Sequence, residues 1–421
     1  EIADRLPTLP ATPPHRARRV FEVLAGADAD TIQQVMDEAA RLPGQRPIVH
    51  LPMGRYAIAT TLRIAAGCDL QLVGDSAGET GTRLDWTGPD DGVVLRLGGP
   101  SHATLRDFYI HAGPARALVV EHCDQPGGRV LADQLNVNGP ASGSTNAAAL
   151  RLTGLDHTDV LLRCLQGSGN GGRWVEVLGG PTTAGATNQI SIFTGATGSA
   201  AGQYDVRQGG RLVVRGVYHE RSSDSVNGLR LADAGTLSID ATRFSYATSP
   251  TAPTVAADGF RGIFTLATCI LMPVETKASC RFELRGDGSG ASVLALNNQF
   301  WIRQRTTADD VWHNLAQPPA RGGLIGCNVN TSKKEAAPKG FEFLANIGEQ
   351  PDPAKSASGA GPLDNRGTVE DATLLRHLAP LRAARVWLPD GSVSTNASNI
   401  RIHRVMAGGG HSAVVEFQSQ H

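Results

Sequence analysis

Apolar residues follow two different periods along this chain. Near the start, Ala29-Asp30-Thr31-Ile32-Gln33-Gln34-Val35-Met36-Asp37-Glu38-Ala39-Ala40 places Ile32, Val35, Met36 and Ala39 on one face, the spacing of an amphipathic helix. Asp30 is the expected N-cap and Pro43-Gly44 the stop, which predicts a helix over about residues 30–41. A strand is predicted at Pro47-Ile48-Val49-His50-Leu51, a turn at Pro52-Met53-Gly54-Arg55-Tyr56 and a further strand at Leu62-Arg63-Ile64. Beyond these the helical period vanishes through the middle of the chain.

A repeat of short strands replaces it. Thr104–Ile110, Leu131–Val137, Val160–Leu165 and Ile190–Phe193 share one shape, which returns at Leu212–Val217, Leu237–Thr242, Phe264–Cys269 and Val293–Asn298. From Leu212 to Leu237, Phe264 and Val293 the successive offsets are 25, 27 and 29 residues. Second short strands lie between, such as Leu95-Arg96-Leu97, Leu118-Val119-Val120, Leu150-Arg151-Leu152, Leu229-Arg230-Leu231 and Phe282-Glu283-Leu284. Helix-free units of this length, turning at Gly, Asn or Asp and burying alternate side chains, are what a solenoid of stacked coils requires. A β-propeller needs four strands and about 40–45 residues per blade, more than these units hold. A β-sandwich shows no such repeat. The pattern therefore predicts an all-β parallel β-helix, with the early helix as its cap and insertions such as Gly139–Ser144 protruding from one side.

The tail reads differently. Residues 350–366, rich in Pro, Ser and Gly, form an expected linker. Thr368–Leu378 reads as a helix with Thr368 and Asp371 in a capping box, and Ala384–Leu388 and Val414–Phe417 read as strands. The expected organisation is a β-helix with its N-terminal cap over residues 1–340, then a linker and small α+β extension over 341–421 that caps the solenoid.

Asp28-Ala29-Asp30-Thr31 with Gln33 and Gln34, then Val49-His50-Leu51-Pro52-Met53-Gly54-Arg55-Tyr56, Leu62-Arg63-Ile64 and Leu70-Gln71-Leu72-Val73-Gly74-Asp75, resembles the opening of the pectate-lyase-like superfamily. There a capping helix precedes a V-x-L-P-x-G-x-Y turn and the first coils of a right-handed β-helix. The resemblance is close over residues 28–75 and extends over 93–303 by repeat shape. It implies the right-handed fold and a carbohydrate-directed role, but not one activity, since the superfamily holds lyases, hydrolases, epimerases, fructotransferases and phage adhesins.

Composition narrows the role. Lys+Arg 39 against Asp+Glu 40 gives a net charge of −1, which argues against a general nucleic-acid binder. Hydrophobic residues make up 41%, enough for a core, while Gly 49 and Pro 24 fit many short elements joined by turns. No apolar run reaches the ~18 residues of a membrane helix. The chain begins at Glu1 without a Met, and a secreted or periplasmic location after removal of a leader is the expectation. The six Cys (68, 123, 164, 269, 280 and 327) have no CxxC spacing and mostly sit in apolar runs, so buried free thiols are expected rather than zinc ligands.

The densest titratable stretch is Arg215-Gly216-Val217-Tyr218-His219-Glu220-Arg221-Ser222-Ser223-Asp224. A carboxylate there can protonate or attack a glycosidic bond, His or Tyr can shuttle a proton, and Arg215 and Arg221 can hold an anionic substrate. The competing reading is a solvated turn with an Arg–Glu pair. In Arg173-Trp174-Val175-Glu176, alternation puts Trp174 and Glu176 on one outer face if Val175 points inward, giving a sugar platform beside a carboxylate. Stacking is then expected to bring Glu176 and Glu220 to one surface about 5–10 Å apart, unless the offset places them on different sheets. Glu220, Glu176 and His219 are thus the candidate catalytic residues, and Trp174, Tyr218, Arg221, Arg215 and Asp224 the candidate substrate contacts. Gly167-Ser168-Gly169-Asn170-Gly171-Gly172 matches GxGxxG, but a strand-like run follows it where a phosphate site needs a helix. Glu121-His122-Cys123-Asp124 with His111 lacks ligand spacing, so no metal or other cofactor is expected. Calcium, which pectate-lyase relatives hold on stacked Asp residues, is unsupported because Asp205, Asp224 and Asp240 do not align. The paired Asp motif of polygalacturonase-type hydrolases is missing too.

The sequence therefore points to an extracellular enzyme acting on a polysaccharide or oligosaccharide, and to a glycoside hydrolase before a lyase. Lys occurs only at 277, 333, 334, 339 and 355, whereas calcium-independent lyases of this fold are expected to use a Lys base. A lyase on the same scaffold and a non-catalytic, adhesin-like glycan binder are the alternatives.

Overall fold

The computed structural model describes residues 18–300 apart from short connecting segments, chiefly 122–127, 141–147, 180–188, 222–227, 247–254, 274–281 and 286–290, and strand segments between 323 and 419. Within them the chain winds as a right-handed parallel β-helix, each coil presenting up to three sides. The first side is built by Ile48–Leu51, Asp69–Gly74, His102–Arg106 and their successors in later coils, paired in parallel. Gly54–Ile58, Thr82–Trp86, Tyr109–His111 and their successors make the second side. The third is a separate nine-stranded sheet that runs from Leu62–Ile64 to Phe282–Arg285.

One backbone device joins the first two sides into a bent sheet. A single left-handed residue stands at the same corner of eight successive coils: Asp107, Gln134, Cys164, Thr194, Gly216, Ala241, Thr268 and Asn297, with φ between 48° and 68°. Each redirects the strand while keeping its ladder, which is why Thr158–Ser168, Gln189–Ala200 and Arg211–Arg221 run unbroken around the bend. At the corner leading from the third side back to the first, Gly210, Gly235 and Gly262 stack. Their carbonyls accept from Thr236, Ile263 and Ser292, at 2.8, 2.9 and 2.8 Å.

Alternation then fills the interior. On the first side Val49, Leu72, Leu105, Ala132, Leu162, Ile192, Val214, Ile239, Leu266 and Ala295 pair in register and are buried. Leu212, Leu237 and Phe264 stack as the repeat predicts.

The helix spans Ala29–Ala40, with Asp28 rather than Asp30 as N-cap; the Thr31 N–H donates to Asp28 Oδ1 at 2.9 Å. Its buried residues Ile32, Met36 and Ala39 cover the first coil. Gln33 bonds both ways to the backbone of Arg63, accepting its N–H at 2.7 Å and donating to its carbonyl at 3.0 Å. That clasp satisfies the open edge of the third sheet.

Parallel pairing continues past residue 340, where Phe341–Leu344 adds to Gly323–Gly326. Two antiparallel hairpins follow, Val386–Trp387 with Val393–Ser394 and Ile400–Gly408 with Ser412–Ser419. The expected helix Thr368–Leu378 lies outside the described residues. Cys68, Cys164 and Cys269 are free thiols, and burial pushes Cys269 up to about 12.

Candidate functional site

The expected site residues separate onto three different surfaces. On Arg211–Arg221 the corner at Gly216 leaves Arg215 on the first side, paired with Asp240 at 3.3 Å. Tyr218 and Glu220 face outward on the second side, where the Tyr218 hydroxyl donates to Glu220 Oε1 at 2.8 Å and Arg243 lies over the Tyr218 ring. Partial burial, and then the Glu220 carboxylate, raise the Tyr218 pKa. Arg221 pairs with Tyr246 in the ladder, and Asp224 lies outside the described residues.

His219 turns the other way, a correction to its candidate role at the surface. Alternation sends it inward, where its ring stacks on Phe244 and meets the edges of Trp174 and Tyr204. Nδ1 contacts Thr197 Oγ1 at 2.9 Å and Nε2 the Tyr204 hydroxyl at 2.8 Å. Burial lowers its pKa to about 3. It is a neutral interior side chain.

Trp174 is likewise buried, which corrects its expected place beside Glu176 on the outer face. Val175 and Val177 do point inward and pair with core residues, but the strand enters the third side from a corner. There Trp174 fills the space over Gly167, where an added Cβ would press on the Val137 carbonyl and on Trp174 Nε1. The glycine in the GxGxxG match thus makes room for a ring, and the strand Arg173–Leu178 follows it, so no helix N-terminus awaits a phosphate.

Glu176 points outward, but on the third side and not on the surface of Glu220. The expected pairing of those two carboxylates is overturned by the sheet assignment itself. Its neighbours are instead on its own sheet. Arg63, Arg96, Val119, Arg151, Glu176, Asp205, Arg230 and Ala256 occupy one register position on consecutive strands. Each strand bends its inward apolar pair around this residue, as in Leu150-Arg151-Leu152, Val175-Glu176-Val177 and Leu229-Arg230-Leu231.

Around the middle of that row the charges lock together. Arg151 Nε reaches Glu176 Oε2 at 2.5 Å, Arg207 Nη2 reaches Glu176 Oε1 at 2.7 Å and Arg116 stands 3.4 Å away. Arg207 also donates through Nε to Asp205 Oδ1 at 2.8 Å, so one guanidinium bridges both carboxylates. Arg230 and Arg173 approach Asp205 at 3.5 and 3.7 Å. The two carboxylate side chains are only 3% exposed. Burial and the Arg151 charge lower the pKa of Arg116, against the pull of Glu176.

Buried ion pairs are weak contributors to stability, because desolvation offsets most of the attraction. The apolar interior already holds these coils together, so this dense cluster is the candidate site of the third side. Sequence reading found Glu176 but missed Asp205 and its arginines. The available signal was the charged residue between two apolar ones in successive coils.

Two members of the metal-like cluster fall among the described residues. His111 bonds to Arg83 and Asp85, Glu121 pairs with Arg96, and residues 122–124 lie outside the described residues. Among the described residues no group of three or more His, Cys, Asp or Glu is placed to hold a metal ion, and no helix is long and apolar enough to cross a membrane.

No family model matches the chain, and no curated protein matches it. Solved structures do resemble it at low identity. DFA-IIIase from Arthrobacter chlorophenolicus without its lid is 12% identical with a TM-score of 0.48, covering 79% of this chain and 99% of that one. The catalytic unit of a thermostable GH87 alpha-1,3-glucanase from Streptomyces thermodiastaticus is 13% identical with a TM-score of 0.38, over 79% and 69%. The ORF18 protein of Geobacillus virus E2 is 12% identical with a TM-score of 0.43; the match covers 76% of this chain and 56% of the viral one. At such identities none of them assigns an activity to this chain.

Proposed function

We propose that this chain is a carbohydrate-active protein, a glycoside hydrolase that lays its polysaccharide across the coils of the third side. The observation that carries the reading is the Glu176–Asp205 pair on adjacent strands. Neighbouring strands lie about 4.8 Å apart, close to the ~5–5.5 Å between the carboxyl groups of retaining glycosidases. Three guanidinium groups fix Glu176 as the anion that meets developing positive charge at the sugar. Asp205, which shares Arg207 with Glu176, is the second carboxyl group of the pair and takes the acid–base role in this reading. A polymer substrate fits a protein that works outside the cytoplasm.

The test is a panel of purified polysaccharides scored for new reducing ends. Asp205→Asn and Glu176→Gln are each expected to lower activity by about 10²–10⁴-fold with the fold intact by circular dichroism. Glu220→Gln is expected to retain it. Loss through Glu220→Gln alone would move the chemistry to the second side and sink this assignment. No product from any polysaccharide would favour the non-catalytic binder.

A lyase is the second reading, and Arg116 favours it. Its guanidinium stands 3.4 Å from Glu176, where a fixed cation would stabilise the anion that elimination beside a uronate carboxyl creates. Ultraviolet absorbance from an unsaturated uronate product distinguishes elimination from hydrolysis.

A further inference from the structure

We propose that the glycan held on the third side is acidic, with carboxylate or sulfate groups, and that its longer arm lies toward the N-terminal cap. The proposal rests on the third side being the glycan site. Five guanidinium groups (Arg116, Arg151, Arg173, Arg207 and Arg230) surround two carboxylates, a surplus of 5 − 2 = 3 positive charges in a chain whose net charge is −1. The carboxylates sit beneath, 3% exposed, and of the cations Arg151 and Arg230 reach outward, 33% and 39% exposed, over the more enclosed Arg207, Arg116 and Arg173. Each guanidinium carries five donors, so one pinned from behind keeps donors facing solvent in a fixed orientation. That is a prepared anion site on each flank of the carboxylate pair.

The row is also lopsided. Toward the cap it continues through Arg96 and Arg63. Arg96 is 34% exposed and its Nε has no partner, although Nη1 pairs with Glu121. In the opposite direction the register runs on to Ala256 and then Glu283. Beyond Arg151 and Arg230, the cations of the row among the described residues lie toward the cap. The row includes no aromatic residue, so neither the ring platform of a neutral sugar nor base stacking is provided.

Binding of the full chain to short and long oligogalacturonates, to sulfated oligosaccharides, to neutral malto-oligosaccharides and to single-stranded DNA tests this by calorimetry at two salt concentrations. One of the acidic classes is expected to bind, more weakly at higher salt, and to identify the anionic group. Arg151→Gln and Arg230→Gln should each weaken it about tenfold at either length. Arg63→Gln and Arg96→Gln should weaken the long oligomers alone. Binding of neither acidic class, equal binding of neutral sugar or DNA, or indifference of the long oligomers to Arg63→Gln overturns the proposal. An acidic oligomer that binds but is never cut sinks only the hydrolase reading, and cleavage of a neutral polymer sinks only this one.

Discussion

His219 shows how a residue type with catalytic associations becomes a structural one. Two hydroxyl partners satisfy its ring nitrogens, and three aromatic rings exclude water. With its pKa lowered to about 3 in the fold, against 6.5 for the ordinary side chain, the unfolded chain takes up the proton first as pH falls. Its contribution is therefore whole above about pH 6.5 and lost progressively toward pH 3, on the order of 5 kcal/mol in full. Asp133, held low by its hydrogen bond to Arg163, acts in the same direction in more acid solution, so a variant is needed to separate the two. The urea midpoint of the native protein is expected to drop more between pH 7 and pH 4.5 than that of His219→Gln. Parallel pH profiles for the two proteins would remove His219 as the cause. In the sequence, the alternation of Tyr218, His219 and Glu220 already separated the inward ring from the outward carboxylate. The burial of Trp174 was not legible, because it depends on a corner and on the absent side chain of Gly167.

At the scale of the element, alternation was readable and the corners were not. The spacing of Leu212, Leu237 and Phe264 announced the stacked first side, and Leu-Arg-Leu triplets announced the third. The left-handed corner carries Asp, Gln, Cys, Thr, Gly, Ala, Thr and Asn in turn, so no common residue betrays it. The side of the coil on which a charge lands therefore stayed open, and with it the partner of Glu176. The glycine corner is stricter. A Cβ on Gly262 would land on the carbonyl, N and Cα-bonded carbon of Gly235, all backbone, with no side chain able to move aside. Gly262→Ala is expected to destabilise the fold by about 2 kcal/mol or more, as overpacking does, whereas Gly113→Ala meets nothing within 4 Å and suffers only from its positive φ. Equal denaturation midpoints for the two variants would show that the coils separate freely at that corner.

Across the whole molecule, stability follows from contacts between neighbouring coils, since each coil touches only those beside it. The ends are then the exposed points, and the Ala29–Ala40 helix closes one of them. Ile32, Met36 and Ala39 lie over the first coil, while Gln33 ties down the backbone at Arg63. Arg63 also begins the cationic row, so the cap both seals the core and fixes the outermost anion contact of the proposed site. Ile32→Asp buries a carboxylate where a fully buried side chain stood, a change on the order of 3 kcal/mol or more. In a quasi-one-dimensional stack the damage should stay local. The variant is expected to lose protection from trypsin at Arg41, Arg46 and Arg63 at urea concentrations where the central coils around Leu162 and Ile192 remain folded. Long acidic oligomers should then bind less tightly while short ones bind as before. Simultaneous unfolding of cap and centre would mean that the solenoid behaves as one cooperative unit, and that the cap's hold on Arg63 cannot be separated from the stability of the site.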